Sequence, residues 1–168
     1  MKKLIIIIFT FLIYINNIFA QSGNTSAKKE LYNPSDDAKA EISIAIKKAE
    51  TEGKHVLLQI GGNWCKWCIL FNEKVNSNDT LLSALEKYYV VYHVNYSKEN
   101  MNTEVLTSLG FPQRFGFPVF VILDGKGNRL HTQNTAYLEE GEGYCTGKVL
   151  EFFEQWSPAA LDAKQYKD

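Results

Sequence analysis

Residues 64–68 read Trp-Cys-Lys-Trp-Cys, directly after the apolar run from His55 to Ile60 and a Gly-Gly step. No other feature limits the possible folds as tightly. An unbroken apolar run of this length reads as a central strand covered on both faces. Cysteines at i and i+3 that open the following helix stand one turn apart, close enough to close a small disulfide ring. The positive end of that helix favours the anion of the first thiol, Cys65, and lowers its pKa. The thiolate is the attacking species in disulfide exchange. Cys65 is therefore the expected nucleophile and Cys68 the thiol that resolves the mixed disulfide.

The first twenty residues have the layout of a secretory signal: Met1-Lys2-Lys3, an apolar stretch from Leu4 to Ile15, and Ala20 before the expected cut. The apolar stretch is short for a bilayer span, which takes about 20 residues. A periplasmic or secreted protein is expected. Lys2 and Lys3 leave with the signal and take the formal charge from −1 to −3. A mildly acidic chain without a basic block argues against nucleic acid as a partner. Three cysteines, two of them in one motif, are too few for a disulfide scaffold, so the chain must build an ordinary hydrophobic core. A monomer is expected.

Residues 21–32 read as a flexible leader, 33–157 as one domain and 158–168 as a polar tail. Asn33 and Pro34 are placed to open a helix whose inner face carries Ala38, Ile42, Ala45, Ile46 and Ala49, with Gly53 as its stop. A second helix is expected from about Cys65 towards Val75, and a third capped by Asp79 with Leu81, Leu82 and Leu85 inside. Tyr89 to Tyr96 reads as a second buried strand, Met101 to Leu109 as a helix, and Pro118 to Leu123 as a third strand. A glycine-containing turn from Asp124 to Asn128 joins that strand to a partner at Arg129 to Thr132. Thr146 caps a last helix with Val149, Phe152, Phe153 and Trp156 facing inward. This order gives an α/β domain: a mixed sheet of about four strands, parallel where helices intervene and antiparallel at the C-terminal hairpin, with helices on both faces.

The block from His55 to Cys68 resembles the thioredoxin-like superfamily: an apolar strand, a tryptophan before the first cysteine, then Cys-x-x-Cys opening a helix. Arg114-Phe115-Gly116-Phe117-Pro118 resembles the stretch in which that family places a cis-proline opposite the disulfide. The resemblance covers most of residues 36–156. It implies a thioredoxin-like fold, with Cys65 the exposed nucleophile, Cys68 the buried resolving cysteine, and Pro118 the cis-proline. Phe117 would present its backbone to the substrate peptide, and Trp64, Lys66 and Trp67 would line the active-site surface rather than the core. The sequence departs from the family pattern at two places. Gln59 stands where thioredoxins usually carry a buried acid, so Cys68 needs water or another base to take its proton. Lys66-Trp67 replaces Gly-Pro, and the charge of Lys66 favours the thiolate and hence a more oxidising couple.

Other chemistries fit less well. Half a zinc site lacks its second half: the remaining cysteine is Cys145, and His55, His93 and His131 have no paired spacing. Covalent haem attachment needs a histidine after Cys68, where Ile69 stands. Cys145 reads as a plain thiol, the histidines as strand and loop residues, and Glu139, Glu140 and Glu142 as a solvated loop. The resemblance implies an exported thiol–disulfide oxidoreductase acting on protein thiols and disulfides. It needs no bound cofactor, because the cysteine pair carries the electrons. Reduction, with electrons from a membrane-embedded donor, is the favoured direction. The alternatives are an oxidase or isomerase, or a non-catalytic peptide-binding module on the same fold.

Overall fold

The computed structural model describes residues 30–167. The expected signal segment and most of the leader lie outside the described residues. The elements run α1 (Ala38–Glu52), β1 (His55–Gly61), α2 (Lys66–Asn76), α3 (Asp79–Tyr88), β2 (Tyr89–Asn95), α4 (Thr103–Ser108), β3 (Val119–Leu123), β4 (Arg129–Asn134) and α5 (Thr146–Gln155). The main sheet has the order β2-β1-β3-β4, with β1 parallel to β2 and antiparallel to β3, and β4 antiparallel to β3. The mixed four-stranded α/β architecture is the one the sequence implies, but β3 runs antiparallel to β1 although α4 precedes it, where a parallel strand was expected. The six residues of α4 are too few to carry the chain back along the sheet.

Strand alternation sorts the core into two layers. Val56, Leu58 and Ile60 of β1 join Val119 and Val121 of β3 in packing against Ala38, Ala45 and Ala49 of α1 and Leu106 of α4. Leu57 faces the opposite way, with Phe120 and Ile122, into a cluster built by α2, α3 and α5 around Phe71, Leu81 and Phe153. Gln59, two residues on from Leu57, projects to that second layer, and this places it beneath the start of α2.

Several boundaries differ from the sequence expectation. Helix α1 begins at Ala38: Asp37 is its N-cap, its side chain accepting from the N–H groups of Lys39 and Ala40, while Asn33 instead accepts from the N–H of Ser35 in a preceding turn. Gly53 ends the helix in the left-handed conformation (φ 64°), as glycine at that position allows. Asn78 rather than Asp79 caps α3 through its side chain. Cys145 rather than Thr146 holds the N-cap position of α5, where it makes no side-chain cap bond. Helix α4 is shorter than Met101–Leu109, because Asn102 adopts a left-handed conformation (φ 47°) before it. Strand β2 lies at the edge of the sheet and is half-buried over most of its length, so it is not covered on both sides. Glu139 and Glu140 form a short strand, β5, paired with β6 (Gly143–Tyr144), where a solvated loop was expected. The leader boundary also moves: Leu31 is half-buried and Tyr32 fully buried, so the packed chain starts before residue 33.

Candidate functional site

Strand β1 ends at Gly61, and Gly62-Asn63-Trp64 carries the chain to Cys65, the N-cap of α2. The two glycines are required by close approach. A Cβ on Gly61 would strike Cys68 Sγ and stand 2.9 Å from Tyr32 Oη, and one on Gly62 would strike the Trp64 ring and stand 2.8 Å from the Tyr96 carbonyl. Gly61→Ala should therefore cost about 1–3 kcal/mol, the usual range for forcing an atom into a packed site. Urea unfolding measures it, and a midpoint equal to the wild type's would show that Tyr32 and α2 give way freely.

Cys65 and Cys68 are joined by a disulfide, their Cα atoms 5.2 Å apart. Cys65 keeps 5% of its surface exposed, whereas Cys68 keeps none. Cys65 Sγ accepts the backbone N–H of Cys68 at 3.2 Å, one of the free donors of the first helical turn. That donor and the helix end both favour negative charge on Cys65. Lys66 follows as the exposed first residue of the helix.

The other expected site residues divide. Trp64 is 59% exposed, donates from Nε1 to the Tyr96 carbonyl at 2.7 Å, and meets Phe117 edge-on at 5.5 Å. Phe117 stacks on Tyr96 at 4.7 Å and also packs against the cysteine pair. The Phe117–Pro118 peptide bond is cis, and the Pro118 carbonyl accepts from Thr135 Oγ1 at 2.6 Å. Trp67 differs from its expected place on the surface: half-buried, it packs into the second core layer as well as against the disulfide, edge-on to Tyr144 at 5.6 Å. The physical reason is helical spacing, which turns position 67 inward beside Cys68 and Phe71.

Gln59 is 2% exposed and donates from Nε2 to Tyr32 Oη (2.9 Å) and to the Cys68 carbonyl (3.2 Å). Tyr32 closes the floor of the site. Its backbone is clamped by Asn63, whose Oδ1 accepts its N–H at 3.0 Å and whose Nδ2 donates to its carbonyl at 2.8 Å. Burial raises the Tyr32 hydroxyl's pKa well above the ordinary phenol value. His93, edge-on to Tyr32 at 5.5 Å, is pushed down to about 4 by burial. Sequence reasoning missed Tyr32, Asn63, Tyr96 and Thr135, none of which has a local pattern to mark it. Cys145 is a free, half-buried thiol at the start of α5. His55 bonds the Trp156 carbonyl through Nδ1 at 2.8 Å and His131 stacks on the Trp156 ring at 4.1 Å, so both serve packing.

A dithiol pair of unequal burial, its outer sulfur on a helix N-terminus and its inner one sealed below, is built for disulfide exchange. On this fold it defines a thiol–disulfide oxidoreductase. The family profile for thioredoxin-like proteins matches residues 37–125, and the chain belongs to that family. Among solved structures it is similar to a disulphide isomerase from Xylella fastidiosa Temecula1, with 22% identity over 77% of this chain and 98% of that one and a TM-score of 0.68. It is also similar to DsbH oxidoreductase, with 18% identity, 71% and 81% coverage and a TM-score of 0.52. A third is the reduced C-terminal domain of DsbD from Neisseria meningitidis, with 18% identity, 70% and 95% coverage and a TM-score of 0.51. At these identities the likeness is one of fold. No curated protein sequence matches the chain.

Proposed function

We propose that the protein is an exported reductase of protein disulfides, a monomer released by cleavage after Ala20, with its catalytic domain ending near residue 157. The observation that carries disulfide exchange is the asymmetry of the pair, with surface left on Cys65 and none on Cys68. The reductive direction rests on the resemblance to exported thioredoxin-like proteins. In the dithiol form the Cys65 thiolate attacks one sulfur of a substrate disulfide, and the other substrate sulfur leaves with the electron pair. Cys68 then loses its proton and attacks Cys65 Sγ. The Cys65–substrate bond breaks, the second substrate sulfur departs as a thiolate, and the protein is left oxidised. A membrane-embedded dithiol donor returns the two electrons.

Pro118 has no N–H, so the edge beside the sulfurs leaves the Phe117 backbone to pair with a substrate strand. Trp64 and Lys66 line the approach, with Trp67 packed behind the disulfide. A cavity of about 560 Å³ adjoins Trp64, bordered by Tyr96, Ser97 and Met101, and offers room for a substrate side chain. Lys66 favours a second reading, oxidase or isomerase, because charge that stabilises the thiolate stabilises the dithiol form.

The reduction potential of the Cys65–Cys68 couple separates the readings. A value more negative than about −230 mV places it with the reductases, and one between about −180 and −120 mV with isomerases and oxidants. Insulin reduction by dithiothreitol tests the non-catalytic alternative, since a mere peptide-binding module gives no turnover.

A further inference from the structure

Resolution of the mixed disulfide needs an ionised Cys68, yet the position that usually supplies a buried acid holds Gln59. An amide cannot take the proton. The surroundings of the Cys68 sulfur answer a different need, that of holding negative charge once the proton has gone. Tyr32 and Cys68 are both wholly buried and pack in one cluster with Cys65. The Tyr32 hydroxyl and Cys68 Sγ crowd the same face of Gly61, each within reach of where its Cβ would be. Gln59 Nε2 donates to Tyr32 Oη, so one acceptor position of that oxygen is filled and the hydroxyl hydrogen is left to point elsewhere. The polar atom beside it over Gly61 is Cys68 Sγ. Asn63 grips both backbone groups of Tyr32, which keeps the hydroxyl in register with the sulfur.

We propose that the Tyr32 hydroxyl is the hydrogen-bond donor that holds the ionised Cys68 sulfur during resolution, with Gln59 as the residue that orients it. This rests on the roles given above to Cys65 and Cys68. Tyr32 is a donor and not a base: burial keeps its hydroxyl protonated, so the Cys68 proton passes to solvent. The bond that forms is Cys65 Sγ–Cys68 Sγ, and the bond that breaks joins Cys65 to the substrate sulfur, which leaves with the electron pair and is protonated by water. The groups that act on Tyr32 are Gln59 and Tyr144, which stays a neutral phenol because burial raises it too. His93 on β2, the titratable ring facing Tyr32, is neutral above about pH 4. Lys66 lies outside on the first turn of α2, and Glu30 is held at the rim by Asn63 Nδ2.

Stopped-flow reaction of the reduced protein with 5,5′-dithiobis(2-nitrobenzoate) tests this. The concentration-dependent phase reports attack by Cys65, and the concentration-independent release of the second thiolate reports resolution by Cys68. Tyr32→Phe keeps the ring and removes the donor. Losing a hydrogen bond to a charged group should raise the resolving midpoint by about one pH unit. At pH 7 the thiolate fraction falls about tenfold, but a more basic thiolate is a better nucleophile, so resolution slows by only about threefold. Above both midpoints the sign reverses, and the variant resolves about threefold faster than the wild type. A merely structural role gives no such crossing. The first phase should be unchanged.

Gln59→Met, which keeps the side-chain length and removes the orienting donor, should move the midpoint in the same direction. It carries the test if Tyr32→Phe does not fold. Resolution midpoints that stay put in the folded variants overturn the proposal. Failure of the role assignment looks different: Cys65→Ser would then keep the first phase.

Discussion

Cys65→Ser is expected to abolish disulfide exchange, while Cys68→Ser should still attack substrates and then stop, accumulating as a mixed disulfide. The difference follows from where the sulfurs sit. Cys65 keeps some surface, and its sulfur accepts a first-turn helix N–H that favours a nucleophilic thiolate; Cys145 also stands at a helix N-cap but accepts no such N–H. Its loss should reduce insulin turnover to the rate without protein. Cys68 is sealed beneath it and bonded to the Cys65 sulfur, so its loss removes the internal attack that ejects the substrate. Non-reducing electrophoresis of Cys68→Ser after incubation with oxidised protein substrates should show adducts that dithiothreitol dissolves. Turnover that survives Cys68→Ser, or faster alkylation of Cys68 than Cys65 at neutral pH, would overturn the roles.

The second large effect is on stability against pH. The His93 ring lies half-buried on β2 against Tyr32, and burial lowers its pKa from 6.5 to about 4. The unfolded chain therefore takes up a proton at a pH where the folded chain refuses it. Stability from this source is complete above about pH 6.5, falls as the pH drops, and levels off below about 4, where both states are protonated. A shift of that size corresponds to about 3 kcal/mol. Urea unfolding at a series of pH values measures the slope. His93→Gln has nothing to titrate there, so its curve should lie flatter than the wild type's between pH 6.5 and 4. Parallel curves would show that His93 is free to charge in the folded state. The same acid range should disturb Tyr32, because a charged His93 would have to leave its buried place beside that ring.

Much of this molecule is legible from residue order. The run from Val56 to Ile60 lacks alternation because β1 is central and covered on both faces, and apolar residues suit both sides. Cys-x-x-Cys opening a helix after that strand places the sulfurs by local geometry alone. Ala45 and Ala49 at helical spacing, and glycine at 53, likewise speak through periods and backbone preferences that act over a few residues. Tertiary structure decided what depends on distant partners. Tyr32 looks like the end of a polar leader until Asn63, thirty-one residues on, clamps its backbone and Gln59 meets its hydroxyl. Gln59 reads in sequence as a missing acid; folded, it is a donor that bridges Tyr32 and Cys68. The Gly-Gly step has no evident reason until Cys68 Sγ, Tyr32 and the Trp64 ring are seen to occupy the space two side chains would need. Strand β2 is as rich in valine and tyrosine as a central strand, and only its place at the sheet edge leaves it half-open. Local order thus determined the elements and the reactive pair, through forces that act within a turn or a strand. The environment of the inner sulfur is set by side chains far apart in the chain, and packing alone brings them together.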